Sequence, residues 1–161
     1  MKSWQRDKQW SDSLIDQVKS VLEKHAGKLL SIQVAPRDED VKHATDLIIK
    51  VQGGDVAVRL RRDCRYRDLT IRAKRDSNAP TELEKIKAGF AHWYFYGWTA
   101  HNKIIDWMLV DLDRLRRSGL LENRPLISNH DGTFFIAIPR SELEDCIIAR
   151  YDEERRERGA E

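Results

Sequence analysis

Residues 46–61 read DLIIKVQGGDVAVRLR, and this stretch decides the fold. Apolar and polar positions alternate on both sides of Gly53 and Gly54, as in two half-buried strands joined by a tight turn. Glycine at both central positions admits the positive φ that a two-residue hairpin loop needs. A turn at Gly53-Gly54 sets Val51 against Val56, Ile49 against Val58 and Leu47 against Leu60 on one buried face. The opposite face then carries Asp46, Arg59 and Arg61. Residues 69–74 (LTIRAK) alternate in the same way. They are expected as the third strand of a meander, adding Arg72 and Lys74 to the polar face. A one-residue slip would drive the arginines into the core, where an unpaired charge is costly.

Outward from the hairpin, the period changes. Upstream, Leu14, Val18, Val21, Leu22 and His25 fall at helical spacing, which predicts a helix over 11–27 stopped by Gly27. Downstream, Thr81 and Glu84 form a capping box after Pro80. Leu83, Ile86, Phe90, Trp93 and Tyr94 continue at helical spacing, so a helix is expected as far as Gly97. Residues 104–112 read as a strand, followed by a short helix starting at Asp111 or Asp113 and ended by Gly119. Strands at 126–128 and 133–138 flank a turn at 129–132. Ser141 and Glu144 form a second capping box, expected to open a helix through Ile147, Ile148 and Tyr151. The class is α+β (α/β) in a single domain over 1–161. Its core spans about 10–112, with a C-terminal extension of hairpin and helix over 113–151 and a charged tail over 152–161.

Charge is distributed unevenly. The chain of 161 residues has 29 Lys plus Arg and 27 Asp plus Glu, a formal net charge of +2. Residues 59–75 alone hold eight basic and two acidic side chains. Such a stripe attracts a polyanion even on a nearly neutral protein. Most of it is Arg, whose planar fork suits bidentate phosphate contact. No apolar run approaches the roughly 20 residues of a membrane-spanning helix. The N-terminus lacks a signal-type apolar stretch, so a cytoplasmic location is expected. The two cysteines, Cys64 and Cys146, have no metal or redox spacing, and the five histidines show no ligand pattern. There is no glycine-rich phosphate loop. The aromatic run 92–98 is expected to give Phe90, Trp93 and Tyr94 to the core and to leave Tyr96, Trp98 or His101 free for stacking. Trp4 and Trp10 are expected to cover an edge or a subunit interface.

The order helix, three strands, helix, strand over residues 10–112 resembles the core of the PD-(D/E)xK nuclease superfamily, the restriction-endonuclease-like fold shared by archaeal-type Holliday junction resolvases. Asp46 in Thr45-Asp46-Leu47-Ile48-Ile49 matches that family's metal-binding Asp. Arg61 stands at the catalytic Lys, and Arg59 replaces the second acidic ligand. A shifted alignment places Asp55 at the start of the middle strand and Lys74 as the catalytic Lys, again with Arg where the acid belongs. Asp68, Glu82 and Glu84 are the candidate accessory acids. The resemblance implies Mg²⁺ as cofactor and an endonuclease- or resolvase-like activity where catalysis is retained. It implies nucleic acid as the partner, DNA ahead of RNA. With the acid replaced, the expected function is binding of phosphates by Arg59, Arg61, Arg72 and Lys74 without a confident metal site. The alternative is a protein-interaction or adaptor role, phage- or mobile-element-like, on a non-catalytic nuclease-like scaffold, as a homodimer or with a protein partner.

Overall fold

Gly54 sets the hairpin, though as a strand residue and not a turn residue. In the computed structural model, which describes residues 3–25, 33–34, 47–51, 54–62, 65–77 and 79–151, β2 (Leu47–Val51) pairs antiparallel with β3 (Gly54–Arg62). Val51 lies opposite Gly54, Ile49 opposite Val56 and Leu47 opposite Val58, so each β2 residue meets a partner two positions earlier than the Gly53-Gly54 turn predicts. The physical reason is at residue 54. A Cβ there would lie 2.6 Å from His92 Nδ1 and 2.7 Å from His92 Cγ, so glycine is required for close approach. Because the shift is even, the face assignment of β3 survives. Val56, Val58 and Leu60 are buried on one side, and Arg59 and Arg61 lie on the other.

β2 and β3 belong to a six-stranded sheet of order β1-β2-β3-β5-β6-β9. It is completed by β1 (Gln33–Val34), β5 (Trp93–Ala100), β6 (Lys103–Asp111) and β9 (Ile147–Arg150). β3 and β5 run parallel; the other neighbours are antiparallel. A second sheet, of three strands, has the order β4 (Leu69–Lys74), β8 (Phe134–Ile138), β7 (Ile127–Ser128). The expected meander is therefore corrected: the third strand leaves the first sheet and pairs with β8, with Leu69 opposite Ile138 and Ile71 opposite Ile136. Those four side chains are fully or almost fully buried and pack on the β3–β5–β6 surface.

The parallel β3–β5 pair needs a crossover, and α3 (Glu82–Lys87) lies within it. Thr81 caps α3 with the predicted box, accepting from the Glu84 N–H while the Glu84 carboxylate accepts from Thr81. The helix stops at Lys87, because Gly89 adopts φ +95 just past the Ala88 C-cap. Residues 93–100, expected as the end of this helix, form β5. Tyr94 to Thr99 are buried without a break, since both faces of this central strand are covered, and that erases the period of two. Gly97, expected as a C-cap, is mid-strand, where a Cβ would lie 2.8 Å from Leu60 Cδ2. The β5–β6 hairpin turns at His101 and Asn102, with φ +50 and +57.

The helix expected over 11–27 forms as α2 (Ile15–His25), preceded by an unexpected helix, α1 (Ser3–Asp12), and the two are separated where the Ser13 hydroxyl donates to the Trp10 carbonyl. Leu14, Val18 and Leu22 pack on Val56, Val58, Leu60, Phe95, Trp107 and Leu109 and cover one face of the large sheet. Trp10 packs against the same cluster, with the Arg62 guanidinium 4.5 Å over its ring. The other face is covered by the small sheet, α3 and α4 (Leu112–Arg117), which Asp111 caps. The expected C-terminal helix is also corrected. Glu144, the box acid, pairs with Arg150 at 2.7 Å, and Arg140–Glu142 form only a 3₁₀ turn. Ile147–Arg150 then pair with β6, burying Ala149 and exposing Ile148. The predicted hairpin around 129–132 forms as β7 and β8.

Candidate nucleic-acid interface

β3 alternation puts Arg59 and Arg61 on the face turned toward the small sheet. Parallel pairing sets them beside Tyr96 and Trp98 of β5. β4 is the outer strand of the small sheet, and among the described residues its edge lacks a strand partner. Side chains of the large sheet and of α3 seal that edge instead. The Thr70 N–H donates to the Tyr96 hydroxyl at 3.4 Å and the Arg72 N–H to Glu82 Oε2 at 2.9 Å.

Glu82 is the pivot of this junction, only 2% exposed. Its Oε2 also accepts from Arg59 Nη1 at 2.7 Å, and its Oε1 from the Tyr94 hydroxyl. Burial, and next the Glu82 charge, push the Tyr94 phenol well above the ordinary tyrosine range. Burial likewise raises Tyr96. Both hydroxyls therefore stay protonated at neutral pH, and Tyr94 remains a donor to the carboxylate.

Arg61 Nη1 donates to Thr70 Oγ1 at 3.2 Å, and that oxygen also shares a 2.7 Å hydrogen bond with the Tyr96 hydroxyl. Arg72 Nε is buried with no acceptor among the described residues. Among the described residues, neither Arg61 nor Arg72 has a carboxylate within ion-pair distance. Arg59, Arg61, Thr70 and Arg72 line a cavity of about 70 Å³, closed from the small sheet's side by Asn129 and Phe135. Three guanidiniums and one buried carboxylate thus meet at the junction of the two sheets. Beside it lies a second, better balanced cluster. Asp106 accepts from Arg67 Nε at 3.0 Å and from both Arg140 Nη atoms at 3.2 and 3.0 Å. The two guanidiniums sit 5.6 and 5.2 Å from the Trp98 ring centroid.

The structure brings together three of the four expected phosphate ligands. Lys74 stands apart, 5.4 Å over the Phe134 ring and exposed. Of the proposed acids, Glu82 reaches the arginines, whereas Glu84 is occupied by the Thr81 cap. Asp55 sits at the start of β3, its N–H donating to His92 Nδ1 at 3.3 Å, and Asp68 precedes β4. Asp46 and Cys64 lie outside the described residues. Tyr96 and Trp98, expected to stay exposed for stacking, are fully buried. Burial raises the Cys146 thiol, so it is not a poised thiolate.

The metal implied by the nuclease resemblance does not fit these residues. A hard divalent cation takes several oxygen ligands. Glu82 has given both of its oxygens to Arg59, Tyr94 and the Arg72 N–H. Among the described residues no group of three His, Cys, Asp or Glu side chains converges. What the site offers is donors: guanidinium N–H groups facing a small cavity, suited to an oxyanion. No protein-family model, curated protein or solved structure matches this chain.

Sequence reasoning missed Thr70, Tyr94, Asn129 and Phe135, and gave Tyr96 a stacking role where it is a buried hydrogen-bond partner of Thr70. Glu82 had a usable signal. Ile86 read as core, and the residue four positions earlier lies on the same helix face, so Glu82 points inward with it.

Proposed function

We propose that this chain binds nucleic acid through its phosphates, with Arg61 and Arg72 as direct ligands and Arg59, held by Glu82, completing the positive wall. The supporting observation is the cavity at the sheet junction, where three guanidiniums face one buried carboxylate. The proposal includes a nuclease-like scaffold that binds without metal-dependent cleavage. In its favour are the antiparallel β2–β3 pair, the α3 crossover to the parallel strand β5 and the Arg59–Glu82 ion pair, with Arg59 where the resemblance places an acid.

Salt-dependent binding of fluorescent single- and double-stranded oligonucleotides tests this. Affinity should fall steeply with salt, with a log–log slope of about 0.7–0.9 per neutralised phosphate. The Arg61→Gln, Arg72→Gln variant should weaken every sequence alike and reduce the slope by about two contacts. Absence of salt-dependent binding, or wild-type affinity in the variant, would end the proposal. Cleavage of the same oligonucleotides in Mg²⁺ or Mn²⁺ would contradict its non-catalytic part.

A further inference from the structure

We infer that the cavity between the two sheets receives a terminal phosphomonoester, so that the nucleic acid is held at a strand end and not along its length. This rests on the nucleic-acid reading above and specifies its ligand.

Size is the first argument. The cavity measures about 70 Å³. A single water fills about 10–15 Å³ of such space, so there is room for a few water-sized groups, the scale of one phosphate. Its walls come from three segments: Arg59 and Arg61 on β3, Thr70 and Arg72 on β4, Asn129 and Phe135 at the β7–β8 hairpin. A monoester needs an exit for one ester arm. A diester must thread two past the same six side chains.

Charge is the second. Arg59, Arg61 and Arg72 against Glu82 leave a formal charge of +2 at the cavity. A phosphomonoester carries about −1.5 to −2 at pH 7 and matches it. An internal diester carries a single charge and leaves one guanidinium unmatched. Asp131 is the further acid in the field of Arg72, but its carboxylate is exposed and engaged by the Thr133 N–H and hydroxyl.

Donor geometry is the third. Among the described residues Arg61 makes one hydrogen bond, to Thr70, with five guanidinium N–H groups to offer, and the Arg72 guanidinium lines the same cavity. An oxyanion with three terminal oxygens supplies acceptors for both.

The experiment is competition against a labelled oligonucleotide by matched unlabelled strands bearing a 5′-phosphate, a 3′-phosphate or hydroxyls at both ends. Inorganic phosphate and a nucleoside monophosphate form further arms. One phosphorylated end should compete at least about tenfold better than the hydroxyl strand, as added charge-assisted hydrogen bonds imply. Arg61→Gln should abolish that preference, and Arg72→Lys, which keeps the charge and loses the planar guanidinium fork, should reduce it. Thermal melts establish that each variant is folded. Equal competition by all three strands, still dependent on Arg61, overturns the end-specific inference and leaves nucleic-acid binding intact. If no strand binds and only the mononucleotide or inorganic phosphate does, the nucleic-acid reading fails and the monoester site stands. Binding by none of these ligands overturns both.

Discussion

The large sheet has two unlike faces. Under α2 it is mostly apolar: Leu14, Val18 and Leu22 meet Val56, Val58, Leu60, Phe95 and Trp107. Under the small sheet, Met108 and Val110 share the surface with Tyr94, Tyr96 and Trp98, and the same junction contains Glu82, Arg59 and Arg61. Apolar packing secures most of the first face, with Gln17 adding hydrogen bonds to the Asn102 carbonyl and from the Ile104 N–H. The second is secured partly by hydrogen bonds that seal the edge of β4, and those bonds leave a gap lined with positive charge. The difference teaches that the stable face and the candidate binding face are the two sides of the same strands, separated by one residue of alternation.

Substitutions on each side should separate the two roles. The largest effect is expected at Glu82→Ala, about 3–5 kcal/mol in urea unfolding, because it strands the Arg59 charge, the Tyr94 hydroxyl and the Arg72 N–H together. A loss below 1 kcal/mol would mean that the polar face carries little of the fold. On the α2 face, Leu22→Ala should cost about 3 kcal/mol and leave oligonucleotide affinity per folded molecule unchanged. A change in affinity there would show that the faces are coupled.

Alkaline titration probes the polar side alone. The Tyr94 and Tyr96 phenols are raised in the folded state, chiefly by burial. Their contribution is full below the unfolded value of about 10 and is lost as pH rises through the folded values. Unfolding free energy should therefore drop above about pH 10, and Tyr94→Phe with Tyr96→Phe should flatten the drop. Thr81→Ala, which removes the α3 cap, should cost about 1 kcal/mol. The smallest stability effect is expected at Arg61→Gln, within about 1 kcal/mol, because a single hydrogen bond to Thr70 is lost while anion binding suffers.

Legibility in the sequence followed burial. The two faces of β3 were readable because one side is apolar and the other carries Arg59 and Arg61, and an even register shift cannot exchange them. β5 was not readable, since layers on both sides make Tyr94 to Thr99 uniformly buried, and the aromatic run then satisfies helical spacing equally well. That β4 pairs with β8 is a choice between distant segments, and Leu69 and Ile71 would bury equally well in a meander. The arginines of the candidate site were identified from local pattern. Their neighbours Asn129 and Phe135 were not, because nothing in residues 129–135 refers to residues 59–72.

That separation along the chain has a kinetic consequence. The anion cavity needs β3, β4 and the β7–β8 hairpin assembled at once, and such long-range closure comes late in folding. A nascent chain that ends before β7 lacks two of the six walls, Asn129 and Phe135. The protein should therefore gain its hold on phosphate only after the β7–β8 hairpin has docked, which makes ligand capture in a stopped-flow refolding trace a reporter of that step.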